Sequence, residues 1–144
     1  MPPEIPVPTE TDWRSEAWGP DAEYAYGMLN GKNYVETMQM FRDHAIARQE
    51  DVMFMPDRCF PFFFNIYMDY LLSPDSAEDS DAASCFFSLV EFKHPEIKSL
   101  DQWLIEKTTT TIARLGENQS FYDAETDIYG SFSDRAAKTL QCLA

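Results

Sequence analysis

The sequence predicts an all-α fold, a single-domain bundle of five to six helices with a Pro-rich N-terminal arm. Two observations carry that prediction. Apolar residues recur at helical spacing in successive segments, and those segments open and close on residues suited to helix ends. A third observation sets the topology: the segments are joined by short turns and show no internal repeat, as in a bundle of low contact order. Residues 1–12 are predicted to be an extended, acidic, Pro-rich arm, and residues 13–144 a single helical domain.

In the arm, Pro2, Pro3, Pro6 and Pro8 favour polyproline-like backbone and forbid a helix. A first helix is predicted from Pro20-Asp21 through Ala22, Ala25, Tyr26 and Leu29, with Gly31 in the left-handed position that follows a helix. In the second, Asn33 and Glu36 have the spacing of a capping box. Tyr34, Met38, Phe41 and Ala45 form its stripe, and it is expected to end near Arg48, before a turn at Gln49-Glu50-Asp51. The third runs from Phe60 to Leu72 with Pro61 in its first turn. Phe60, Phe63, Phe64, Tyr67, Met68, Leu71 and Leu72 form one face, and Phe62, Ile66 and Tyr70 a second ridge. A helix apolar nearly all round belongs at a domain centre or at an interface. The second ridge therefore reads either as core or as a surface for homodimer formation. Asn65 and Asp69 break the ring, with Arg42, Arg48 or Arg58 as the expected partners of Asp69.

A fourth helix is predicted after Ser80 or Asp81, with Ala82, Cys85, Phe86, Leu89 and Val90 as its stripe and His94-Pro95 as its end. In the fifth, Ser99 and Gln102 suggest a capping box, Leu100 to Leu115 line a face, and Gly116 is its stop. Its Thr108–Thr111 run has strand propensity. A last helix is capped by Ser131 or Ser133 and carries Ala137, Leu140, Cys142 and Leu143.

The composition bounds function mainly by exclusion. With 25 acids against 11 bases the net charge is −14. Such a surface repels phosphate backbones and anionic membranes, so neither nucleic acid nor membrane is an expected partner. The start of the chain has neither the basic region nor the apolar run of a signal peptide. Cys59, Cys85 and Cys142 are odd in number and two have aromatic neighbours, which favours free buried thiols and a cytoplasmic, reducing location.

Motifs for catalysis are missing. There is no Gly-rich phosphate loop among only five glycines, and no G-x-S-x-G, H-E-x-x-H, C-x-x-C or EF-hand pattern. No cofactor is expected. The one metal-like spacing is Glu91-x-x-His94, a single copy where a di-iron bundle needs two. A small-molecule-binding or metal-dependent helical enzyme would draw on Asp69, Glu91 and His94. A self-associating structural protein would use the aromatic third helix.

The charge distribution carries the leading expectation. Residues 10–23, 75–81 and 117–134 hold 14 of the 25 acids and a single base, Arg14. These segments are interleaved with Trp13, Trp18, Tyr122 and Tyr129. Acids that steer and rings that anchor are what grips a basic protein. The expected partner-binding residues are Trp13, Trp18, Asp75, Asp79, Asp81, Tyr122, Asp123, Glu125, Asp127 and Tyr129. The competing explanation is helix capping and solubility alone.

Overall fold

The computed structural model describes residues 4–144, so Pro2 and Pro3 of the predicted arm lie outside the described residues. Those described form helices and connecting turns, with no strand among them. The six predicted helices are present as α2 (Pro20–Leu29), α3 (Tyr34–Phe54), α4 (Phe60–Leu72), α5 (Ser80–Ile97), α6 (Gln102–Glu117) and α8 (Phe132–Cys142). Two single turns, α1 (Glu10–Trp13) and α7 (Thr126–Tyr129), and a 3₁₀ turn at Pro74–Ser76 raise the number above the five or six expected. Such short turns have no periodicity to read. The chain divides into two compact units, one ending at Tyr67 and the other comprising Met68–Ala144, with α4 running from the first into the second.

In the first unit, the local signals at helix ends act as predicted. Pro20 opens α2 and Gly31, at φ 77°, follows its end. Asn33 Oδ1 accepts from the Glu36 N–H at 2.9 Å while Glu36 Oε1 accepts from the Asn33 N–H at 3.0 Å. The helix they start does not stop at Arg48. It runs on to Phe54, because Val52 and Met55 are buried and hold the added turns on the core. Its regularity is broken earlier, at His44 (φ −160°, ψ 68°), which divides α3 into two helical stretches. The core is aromatic: Trp13 packs edge-on against Tyr26 at 5.6 Å and on Phe63 at 5.9 Å, and Phe41 stacks on Tyr67 at 5.3 Å.

Aromatic α4 is buried on nearly every side. Phe62, Ile66 and Tyr70, the ridge with two readings, are 5%, 0% and 3% exposed, so they are core and present no ridge to a second copy. Asp69 is paired with Lys107 of α6.

In the second unit, α8 packs against α5 and α6. Four expectations at helix ends are corrected. Asp79, and not Ser80 or Asp81, caps α5 by accepting from the Ala82 N–H at 3.3 Å. Pro95 lies inside α5, which continues to the fully buried Ile97. Burial of that side chain offsets the hydrogen bond that proline cannot donate. The Ser99–Gln102 box does not form: Asp101 stands at the N-cap, and the Ser99 hydroxyl donates to the Pro95 carbonyl at 3.1 Å. Gly116 does not stop α6 but lies within it, where a Cβ would stand 2.7 Å from that of Ala136 on α8. The threonine run is helical, with the Thr108 and Thr111 hydroxyls donating to the Leu104 and Lys107 carbonyls one turn back. Ser131 caps α8 as predicted, but its buried face is Phe132, Ala136 and Thr139, set by Phe132 packing edge-on against Phe87 at 5.2 Å.

Candidate functional site

The acidic segments are put to different uses. In residues 10–23, the first three carboxylates, Glu10, Asp12 and Glu16, build structure. Glu10 accepts from Arg14 Nε at 3.0 Å and from the Tyr26 hydroxyl at 2.6 Å. Those donors hold the Glu10 carboxyl below its ordinary range, the tyrosine first and the arginine second. Asp12 closes a capping box with Thr9. Glu16 accepts from the Asp57 N–H at 2.6 Å.

In the second unit, segments 75–81 and 117–134 are brought side by side. The Glu78 N–H donates to the Phe121 carbonyl at 2.9 Å. The Tyr129 hydroxyl donates to Asp81 Oδ1 at 2.6 Å and accepts from the Ser80 hydroxyl at 3.0 Å. Hydrogen bonding to the Asp81 carboxylate raises Tyr129 above the usual phenol range, because ionising it would place two anions together. Glu78 and Asp123 both have positive φ, 66° and 55°, a conformation that aspartate tolerates better than glutamate.

The predicted site residues divide by burial. Trp13 and Tyr122 are fully buried and offer no ring to a partner. Tyr122 is fixed by its hydroxyl, which donates to the Leu71 carbonyl at 2.7 Å, and burial raises its pKa. Trp18 is half-buried, its Nε1–H donating to the Trp13 carbonyl at 2.6 Å and Arg14 lying 4.0 Å over its ring. Asp79 is also committed, as the cap of α5 and as acceptor from the Tyr70 hydroxyl at 2.5 Å. Burial, with Asp79 adding to it, pushes that tyrosine far above its usual range. Asp75, Asp81, Asp123, Glu125 and Asp127 are exposed, and Tyr129 is half-buried. The side chains of Asp123, Glu125 and Asp127 have no ion-pair or hydrogen-bond partner among the described residues. Ile128, 71% exposed, stands among them and was not among the expected contacts. Its position, one exposed apolar residue inside an acidic loop, is the signal that could have found it.

The residues set aside for an enzyme do not assemble. Asp69 is paired with Lys107, and Glu91 accepts from the Thr139 hydroxyl at 3.3 Å. His94 lies in the last turn of α5 with Nδ1 buried and unbonded. Among the described residues no three His, Cys, Asp or Glu side chains stand close enough to hold a metal ion. Burial raises the Cys59 thiol to about 12, with Asp12 and Glu16 adding to it, so it is not a thiolate at neutral pH.

A buried ion pair lies in a segment that reads as a turn. Arg48 and Asp51 lie one turn apart on α3, 7% and 4% exposed, with Nε 2.8 Å from Oδ2. The Arg48 N–H is not directed at that oxygen, so this is an ion pair without a hydrogen bond. Burial raises Asp51 to about 6 even though Arg48 pulls it down.

No protein-family model, curated protein or solved structure matches the chain. Among the described residues no helix is long and apolar enough to cross a membrane.

Proposed function

We propose that the protein is a non-enzymatic interaction module, a single acidic helical domain of the cytoplasm that binds a basic protein in the manner of an inhibitor, immunity or adaptor protein. The observation that carries this reading is the juxtaposition of two base-poor segments through Glu78, Ser80, Asp81, Phe121 and Tyr129. That junction puts the exposed Asp81 beside a loop whose carboxylates, on Asp123, Glu125 and Asp127, serve no fold contact. Unpartnered carboxylates keep their full charge for a cation outside the molecule. They speed encounter with a basic partner over long range, while Ile128 and the edge of Tyr129 supply apolar area to bury.

The test has two steps. A partner is isolated from native lysate as a protein retained at low salt and released at high salt. Its association is then timed with the wild-type chain and with the triple variant Asp123→Lys, Glu125→Lys, Asp127→Lys. The variant is expected to associate roughly tenfold more slowly at low salt, with a flatter salt dependence. An on-rate unchanged by the triple reversal would overturn the proposal.

A further inference from the structure

Helix α3 is two stretches joined at His44, whose non-helical backbone (φ −160°, ψ 68°) interrupts the run. The N-terminal stretch is firmly seated. The Asn33–Glu36 capping box starts it, and Met38 and Phe41 are buried, with Phe41 stacked on Tyr67. The C-terminal stretch, 45–54, is seated differently. Ala45 and Val52 are buried, as is Met55 just beyond its end, but the same stretch also buries Arg48, Gln49 and Asp51.

Those three polar side chains are poorly matched to the interior. Arg48 Nε, Gln49 Oε1 and Asp51 Oδ2 are closed to solvent, and none makes a hydrogen bond. The Arg48–Asp51 pair does not make up the loss. Desolvation is the largest influence on Asp51, outweighs the attraction of Arg48 and raises the carboxyl to about 6. Buried hydroxyls of the second unit are treated otherwise: Ser76, Thr108, Thr111 and Thr139 each donate to a backbone carbonyl. A buried polar atom without a partner costs free energy that water restores once the segment leaves the core. Burial of Val52 and Met55 therefore pulls this stretch in while its polar residues pull it out. The interruption at His44 supplies the joint at which it can part from the rest of α3.

We infer that residues 45–54 form a flap that opens as one piece about His44, giving Arg48, Gln49 and Asp51 to water and uncovering Val52 and Met55, while 34–43 stay docked. The flap belongs to the first unit and owes nothing to the acidic junction of the second.

Amide hydrogen exchange of the full chain, followed by NMR, tests it. The amides of 48–54 are expected to share one level of protection, roughly tenfold or more below that of 38–43. Val52→Ala, which weakens the apolar hold, should lower protection in 48–54 by a further roughly tenfold and leave 38–43 within about twofold of wild type. Arg48→Met combined with Asp51→Leu replaces the buried pair by apolar side chains of similar size. It should raise protection in 48–54 by roughly tenfold. The triple reversal at Asp123, Glu125 and Asp127 should leave all of these rates unchanged, which separates the flap from the proposed function. Protection that declines steadily toward Phe54, as at a fraying helix end, would overturn the inference. So would equal protection on both sides of His44, equal loss on both sides in Val52→Ala, or a folded double variant whose flap exchanges no more slowly. Should the double variant not fold, the wild-type pattern and Val52→Ala decide the matter.

Discussion

Residues 10–23 and 117–134 carry five acids each but spend them differently. In the first, Glu10, Asp12 and Glu16 each accept hydrogen bonds that shape the backbone or tie down a ring. In the second, Asp123, Glu125 and Asp127 project into solvent and hold nothing. A carboxylate already filled by donors has little attraction left for a partner, so net charge alone does not locate an interaction surface. What locates it is the set of acids the fold does not need.

The contrast can be tested most severely at its exception. Asp79 belongs to the acidic turn of the second unit yet caps α5 and receives the Tyr70 hydroxyl. Asp79→Ala removes a cap and strands a buried hydroxyl, and is expected to cost about 3 kcal/mol in denaturant unfolding. A loss under about 1 kcal/mol would place Asp79 with the idle acids.

A smaller effect is expected at Asp51. Its folded pKa, about 6, lies above the ordinary 3.8, so the folded state holds this proton more tightly than the unfolded chain does. The stability it contributes is fully present below the ordinary value and is lost as pH rises through about 6. Lowering the pH from about 7 to about 5 should gain about 1 kcal/mol from this group. Comparing the pH dependence of wild type and Asp51→Asn isolates it, and identical slopes would refute it.

The smallest effects complete the comparison. Asp12→Ala, which opens the capping box of α1, is expected to lower stability by about 1 kcal/mol. Neutralising Asp123, Glu125 and Asp127 together to Asn, Gln and Asn should change it by less than about 0.5 kcal/mol. Thermal melts of the two variants side by side would show it, and equal losses would erase the distinction between the two regions.

These differences explain what could be read in advance. Helix ends are local: Asn33 with Glu36, Pro20, Gly31 and Ser131 act within a few residues of themselves and do as their types suggest. Pro95 and Gly116 are local signals too, but distant packing overrules them, through the burial of Ile97 and the approach of Ala136. The same holds for the rings. Trp13 and Tyr122 sit in acidic segments and read as surface anchors, yet Phe63 and the Leu71 carbonyl draw them inside. Thr9 and Asp12 form a box of the same spacing as Asn33 and Glu36, a signal that was present and unread beneath the prolines. Of the candidate surface, the acids were legible by count. The pairing of two segments through Glu78 and Tyr129 was not, because contacts separated by more than forty residues leave no local trace.

The single backbone bond from Glu78 to Phe121 has a practical consequence. An amide in an exposed turn ordinarily trades its hydrogen for solvent deuterium quickly, whereas one held by a carbonyl exchanges only when that contact opens. The Glu78 amide is therefore a built-in clock for the junction, its rate recording how often the two acidic segments part. Slowing of that one exchange on adding a basic protein would register docking at the junction without any label on either molecule.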